Sequence, residues 1–234
     1  MKAEKLRHHA NHYAKAFVPA KVLQARMHRR AFMQFAEKSG LVYFGYVDQH
    51  NDEHRLVRGL SVSATHKDNN YCIGSFKGYD VTVVERTDTI KYPHKPARPQ
   101  DWIIMTFDLR TTADLPHVFV GLHTHSETFY AELFTKYAHL AKAPIGTFLH
   151  LSRSFTDKYT IFTEPARIVQ AEHLFDAKTA GTIAELFGSL TIEISDGCLY
   201  LYAWHQRPSL PFLTRMLQNG VWLAQTLDAR ASDA

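Results

Sequence analysis

The chain has 234 residues, of which 45% are hydrophobic and 21% are charged. This composition is typical of a folded globular protein and excludes the disordered, collagen-like and fibrous classes. There is no run of about 18 apolar residues and no apolar signal-peptide core behind the charged start, so we predict a cytoplasmic protein. Cys72 and Cys198 show no CxxC spacing and favour a reducing compartment without a disulfide.

Positive charge is concentrated at the N-terminal end. Residues 1–39 contain nine Lys and Arg against two Glu, a net charge of +7, whereas the whole chain carries +4. The other residues therefore sum to −3. The basic character belongs to this segment, and a nonspecifically basic surface is not expected for the rest of the chain.

A helix is predicted over 19–38, because Pro19 suits a first helical position, and a basic flexible arm, 1–18, precedes it. Its apolar side chains recur every four residues and are expected to be buried: Leu23, Met27, Ala31 and Phe35. The candidate interaction residues are the basic ones of this region: Lys15, Lys21, Arg26, Arg29 and Arg30. Their face is interpreted either as a solvated surface or as a contact for anionic lipid or nucleic acid. Since the apolar stripe is expected to be buried, we predict electrostatic contact without insertion.

Period-two alternation then predicts six strands joined as consecutive antiparallel hairpins. Turns are expected around 49–52, at Lys77-Gly78 and around 113–116. The six predicted strands cover 41–48, 55–64, 70–75, 79–86, 102–110 and 117–123.

The centre of the chain combines helix and strand signals. Thr124 and Glu127 have capping-box spacing, which predicts a helix over 126–141. A strand over 158–163 and a helix over 166–173 follow, and residues 145–151 fit either a strand or a loop. Asp176 is the expected N-cap of another helix.

The C-terminal part contains the strongest signal. Leu190–Ser195 and Cys198–Trp204 alternate with period two around Asp196-Gly197, a sequence that favours a two-residue hairpin turn. A last helix is expected over 210–227, with a disordered tail at 229–234. The fold class predicted is α+β: a twisted, mainly antiparallel sheet built from hairpins and covered by an N-terminal, a central and a C-terminal helix. Residues 19–228 form one domain, with a subdivision near 144–154 kept as an alternative.

Several of these features occur together in one known family. They are the Phe17-Val18-Pro19 helix entry, Gly59, the Lys77-Gly78-Tyr79-Asp80 turn, the Trp102 strand and the TIEISDGCLYLYAW hairpin. Over most of its length the chain resembles the bacterial domain-of-unknown-function family 3137. The resemblance implies the α+β fold and supplies no catalytic residues. Members of that family often carry N-terminal membrane-spanning helices, which this sequence does not show.

His123 and His125 are the candidate metal ligands. An HxH pair at a strand end places two imidazoles on one side, and one or two further ligands would complete a zinc site. However, the chain contains 15 histidines, so such a pair also arises by chance. Thr124 between them has a capping role of its own.

Other candidate chemistry is weaker. Asp80 and Glu85 are an odd number of positions apart on one strand, so they point to opposite faces and are interpreted as solvent-facing. Tyr200, Tyr202 and Trp204 fit a stacking platform for single-stranded nucleic acid, but a strand buried on both faces is favoured. No Gly-x-Ser-x-Gly elbow or phosphate-binding glycine loop is present.

Two functions are compatible with these observations. The favoured one is a non-enzymatic cytoplasmic binding or scaffold protein that has a protein partner and contacts the inner membrane surface through its basic N-terminal segment. The alternative is a metal-dependent enzyme that uses His123 and His125. No cofactor is expected, and nucleic acid is disfavoured as a partner.

Overall fold

The computed structural model describes most of the chain, with gaps at both ends and in three internal regions. The described residues are 20–46, 57, 59, 66–90, 98–125, 130, 137–144, 147, 148 and 150–232. Five helices lie in this part: α1 Ala20–Ser39, α2 Arg153–Thr156, α3 Ile168–Leu174, α4 Ala177–Leu186 and α5 Leu210–Ser232. A 3-10 turn, Pro165–Arg167, leads into α3.

Nine strands form one antiparallel sheet, which confirms the α+β fold class. They are β1 Val42–Tyr46, β2 Lys67–Phe76, β3 Tyr79–Ile90, β4 Arg98–Asp108, β5 Val118–Leu122, β6 Ala141–Lys142, β7 Tyr159–Thr163, β8 Leu190–Ser195 and β9 Cys198–Trp204. The spatial order is β1-β2-β3-β4-β9-β8-β5-β7-β6. Strands on both sides of 144–154 therefore belong to the same sheet.

Two hairpins follow the predicted turns. Lys77 and Gly78 have φ of 50° and 80°, and Asp196 and Gly197 have φ of 51° and 70°. Positive φ at both central residues is the type I′ geometry, whose twist matches that of paired strands. The β8–β9 register runs from Leu190↔Ala203 to Ser195↔Cys198, so this hairpin has the predicted boundaries.

The prediction of consecutive hairpins is wrong at β5. The free side of β4 pairs with β9, from Trp102↔Trp204 to Asp108↔Cys198, whereas β5 pairs with β7 and β8. The β4–β9 pairing joins segments about a hundred residues apart, and no local turn signal specifies it. The predicted strand 55–64 lies outside the described residues apart from Val57 and Gly59, neither of which is in a strand.

The two faces of the sheet are covered differently. One face packs an apolar cluster that includes Phe35 of α1, Phe107 of β4 and Leu213 of α5. There α5 approaches the sheet closely, since a Cβ at Gly220 would lie 2.1 Å from the Phe107 ring. The opposite face carries buried aromatic side chains, among them Tyr200 and Tyr202. This confirms that β9 is buried on both faces and is not an exposed stacking platform.

The predicted burial of the α1 stripe is only half right. Phe32 and Phe35 are fully buried, but Leu23 is 54% and Met27 is 64% exposed. Because a helix has about 3.6 residues per turn, each four-residue step rotates about 40° around the axis. Over the three steps from Phe35 back to Leu23 the stripe therefore turns away from the sheet.

The central and the C-terminal helix have other boundaries than the sequence predicted. Most of the predicted helix 126–141 lies outside the described residues. Tyr130 is helical as predicted, but residues 137–140 are not and Ala141–Lys142 form β6. Pairing of β6 with β7 at the sheet edge outweighs the helical pattern there. At the C-terminus α5 continues to Ser232, so residues 229–232 are helical and not a tail.

Asp176 is the N-cap of α4, as predicted, and its side chain accepts a hydrogen bond from the Thr179 N–H. Burial alone would raise the pKa of Asp176, but hydrogen bonds from Thr179 and the nearby Arg230 outweigh burial and hold that pKa below its usual value. Among the described residues, no helix has both the length and the apolar content needed to cross a membrane.

Candidate binding cleft

A cleft of about 880 Å³ opens beside the first half of α1. Its walls come from α1, from β1 to β4 and from the segment that follows β9. The lining residues are Gln24, Ala25, His28, Arg29, Tyr43, Gly45, Tyr46, Asn69, Asn70, Glu85, Thr87, Asp101, Trp102, Ile103, His205, Gln206 and Arg207. This size and mixture of aromatic, amide and charged groups are typical of a small-ligand site.

A chain of hydrogen bonds links four of these side chains. The Tyr43 hydroxyl donates to Asn70 Oδ1 at 2.7 Å, and Asn70 Nδ2 donates to Glu85 Oε2 at 2.6 Å. The other carboxylate oxygen, Glu85 Oε1, lies 2.5 Å from His28 Nδ1. The chain connects three strands to α1 and fixes the side chains in the cleft before any ligand is present.

The backbone at Asn70 explains how its amide reaches both neighbours. The register between β2 and β3 shifts between Asn69 and Cys72, which marks a β-bulge. Asn70 has φ of 52°, a left-handed conformation that Asn tolerates better than most residues. The bulge thus directs the amide between Tyr43 on β1 and Glu85 on β3.

The electrostatics of the cleft are set by histidine–carboxylate pairs and by arginines. His28 pairs with Glu85, and His205 Nδ1 lies 3.9 Å from Asp101 Oδ2. Burial raises the pKa of Tyr43, and the guanidinium of Arg29 opposes that rise. Arg29 and Arg207 form no ion pair with any described residue. The carboxylates are thus partnered within the cleft, whereas neither guanidinium has a carboxylate partner among the described residues. Arg29 does form a side-chain hydrogen bond with Tyr43.

The Glu85 carboxylate is the hydrogen-bond partner that the structure shows for His28 in this cleft. Among the described residues, no Ser, Thr or Cys side chain hydrogen-bonds to His28, as a histidine-activated nucleophile would require. Glu85 holds one ring nitrogen of His28 and so fixes the orientation of the ring. The other ring nitrogen can form a hydrogen bond with a bound ligand.

Three of the predicted interaction residues lie on the described part of α1. Arg26, Arg29 and Arg30 are exposed on α1, and Arg29 also lines the cleft. Lys15 and the side chain of Lys21 lie outside the described residues. The interaction role of Arg29 stays a prediction, and no sequence signal indicated the cleft that it lines.

The two candidate metal ligands have separate environments. His123 is exposed, whereas His125 packs edge-on against Trp204 with ring centroids 4.7 Å apart. Burial lowers the pKa of His125, so the ring favours its neutral form. No group of three or more His, Cys, Asp or Glu side chains placed to hold a metal ion occurs within the described part of the chain. The pair therefore has no additional ligand there.

Glu85 was wrongly interpreted as solvent-facing. Asp80 is exposed on the other side of β3, as the alternation predicted, but the Glu85 side chain is only 20% exposed beneath α1. No local sequence signal connects Glu85 to His28, because the pair is 57 positions apart. Only the packing of α1 on the sheet brings them together.

A second polar cluster lies on the opposite face of the sheet. The fully buried Glu193 carboxylate accepts hydrogen bonds from the Tyr202 hydroxyl and, at 2.8 Å, from His117 Nε2. Burial and the nearby Glu193 carboxylate raise the pKa of Tyr202 well above its usual value. A further buried pair joins Arg86 to both oxygens of Asp68 at 2.7 Å. These groups satisfy one another and stabilise the interior.

Comparisons with known proteins add information on the fold alone. No family model and no curated protein matches this chain, and the resemblance to family 3137 stays a prediction. A crystal structure of the mycobacterial trehalose monomycolate transport factor A, TtfA, is similar, with a TM-score of 0.54 and 10% sequence identity. The similarity covers 88% of this chain and 94% of that one. The overall fold is therefore similar to that of a solved protein across most of both chains.

Proposed function

We propose that this protein is a non-enzymatic binding protein that attaches peripherally to an anionic membrane surface through residues 22–30 of α1, here called the exposed half. The proposal rests on one observation. Arginines without an ion pair to a described residue share this surface with exposed apolar side chains. Arg26, Arg29 and Arg30 form no ion pair with a described residue, and Leu23 and Met27 are more than half exposed.

The energetics favour a combined contact. Near an anionic leaflet each Lys or Arg contributes on the order of 1 kcal/mol, and screening by salt weakens that contribution. Leu23 and Met27 add apolar area that an interface can bury, as in amphipathic helices that lie along a membrane surface. The contact is therefore expected to include shallow insertion, in addition to the purely electrostatic attachment that the sequence predicted.

The apolar side chains also favour lipid over nucleic acid. Binding to nucleic acid draws mainly on phosphate charge and base stacking, which do not use exposed Leu or Met side chains. An interface between water and lipid uses both features of the exposed half.

Vesicle sedimentation tests the proposal. Purified protein is mixed with neutral phosphatidylcholine vesicles or with vesicles that contain phosphatidylglycerol, at low and at physiological salt. We expect sedimentation with the anionic vesicles alone, weakening as salt rises. Equal sedimentation with neutral vesicles, or none with anionic vesicles at low salt, would contradict the proposal.

Two variants with the same change in net charge show whether vesicle binding depends on the arginines of α1 or on the total charge of the protein. The first carries R26Q, R29Q and R30Q, and the second carries R153Q, K178Q and R215Q, which are exposed elsewhere. Both lose three positive charges. Binding should be lost in the first variant and retained in the second, whereas equal loss in both would show an effect of net charge.

A further inference from the structure

In the cleft beside α1 the carboxylates have ion-pair partners, whereas the arginines have none among the described residues. This difference favours an anionic ligand. Glu85 and Asp101 each have a histidine partner inside the cleft. Arg29 and Arg207, which come from α1 and from the segment after β9, line the same cleft without an ion pair to any described residue. A ligand that enters therefore meets guanidinium groups that still lack a carboxylate.

The chemistry of two arginines favours a phosphate over a carboxylate. A single guanidinium can satisfy both oxygens of a carboxylate in a bidentate pair. A phosphate monoester presents three acceptor oxygens and up to two negative charges, so it can engage a second guanidinium at the same time. Two arginines that line one cleft without a carboxylate partner thus match the larger and more highly charged anion.

The remaining lining selects for the rest of the ligand. Gln24, Asn69 and Gln206 supply amides, and Thr87 supplies a hydroxyl, all of which can bond to hydroxyl groups. His28 and Tyr43 are held by the chain that runs through Asn70 and Glu85, so they offer fixed positions. A phosphate ester that carries hydroxyl groups would use both sets.

We propose that the cleft binds a hydroxyl-bearing phosphate ester, with its phosphate on Arg29 and Arg207. The proposal deepens the proposed function and rests on it in one respect, since Arg29 belongs both to the cleft and to the exposed half of α1. The phosphate ester can come from the headgroup of a lipid in the surface to which α1 attaches, or from a soluble metabolite. The two sources share the same recognition chemistry.

Titration of the full chain with glycerol 3-phosphate tests the site, with glycerol as the uncharged match. We expect saturable binding of glycerol 3-phosphate by calorimetry and none of glycerol. R207Q should weaken the affinity at least tenfold, whereas R215Q, which removes an exposed arginine outside the cleft, should leave it unchanged. No binding of glycerol 3-phosphate, or equal binding by R207Q and the parent chain, would overturn the proposal.

One further variant, used together with R207Q, distinguishes a failure of the phosphate-ester site from a failure of membrane attachment. R26Q/R30Q alters the exposed half of α1 but none of the lining residues, so it should reduce vesicle sedimentation and keep glycerol 3-phosphate binding. If R207Q also weakens sedimentation with vesicles that contain phosphatidic acid, whose headgroup is a phosphate monoester, the source is the lipid headgroup. If R207Q loses glycerol 3-phosphate binding but sediments like the parent chain, the source is soluble. Loss of both activities in R26Q/R30Q would contradict a separate cleft site.

Discussion

The two halves of α1 share one helix but have different surroundings. Residues 31–36, here called the anchored half, bury Phe32 and Phe35 in the apolar cluster between the sheet and α5. The exposed half leaves Leu23 and Met27 in solvent beside three arginines. One half of the helix therefore secures the fold, while the other half is available for a partner.

The largest effect is expected in the anchored half. Phe35→Ala removes a fully buried aromatic side chain and should lower the free energy of unfolding by about 3–5 kcal/mol, from lost burial and the cavity left behind. Urea unfolding of the variant and the parent chain measures the difference. A loss below about 1 kcal/mol would show that the anchored half does not secure the fold.

A smaller effect is expected where the exposed half meets the sheet. Asn70→Ala removes both hydrogen bonds of the amide and places alanine at a φ of 52°, at a cost of about 1–3 kcal/mol. Asn70→Gly is the matched control, because it tolerates the backbone and deletes only the amide. Equal stability of the parent and both variants in urea would contradict a structural role for the chain from Tyr43 to His28.

The anchored region also gives a prediction about pH. Tyr79 belongs to the same apolar cluster as Phe35, and burial together with its hydrogen bond to Asp228 raises the pKa of Tyr79 to about 12. The unfolded chain loses this proton near pH 10, so stability from Tyr79 is complete below about pH 10 and declines as pH rises toward 12.

Replacement of Tyr79 tests whether this residue causes stability to fall as the pH rises. Tyr79→Phe should reduce the decline in unfolding free energy between pH 10 and 12, because phenylalanine has no proton to lose. Urea unfolding at several alkaline pH values measures the slope. An unchanged slope would show that Tyr79 contributes nothing to the alkaline loss of stability.

The smallest effect on stability is expected in the exposed half. Leu23→Ala and Met27→Ala remove side chains that are more than half exposed and should each change the unfolding free energy by less than about 0.5 kcal/mol. Both should weaken sedimentation with anionic vesicles. A loss comparable to that of Phe35→Ala would mean that the two halves do not differ.

The sequence predicted those parts of the fold that depend on local signals. Asp196-Gly197 specifies its hairpin through the positive φ of two adjacent residues, and Asp176 caps α4 through a bond three residues away. The β4–β9 pairing was not predictable, because a hundred residues separate its strands and many partners fit an apolar alternation.

The candidate site was less accessible from sequence than the fold. Arg26, Arg29 and Arg30 stood out because their charges cluster along the chain. His28, Glu85 and Arg207 come together only through tertiary packing, and no spacing rule relates them. The four-residue repeat from Leu23 to Phe35 misled for a geometrical reason, since a true apolar face follows the 3.6-residue period.

The most direct test of membrane attachment through the exposed half of α1 is to measure whether position 27 enters an apolar environment when vesicles are added. Both natural cysteines are buried, and burial raises the pKa of the Cys72 thiol to about 12, so an environment-sensitive thiol dye should label Met27→Cys selectively. Lys178→Cys, at an exposed position on α4, is the control. We predict a blue shift of the dye at position 27 with phosphatidylglycerol vesicles and none at position 178. No shift at position 27, or equal shifts at both positions, would contradict attachment through the exposed half of α1.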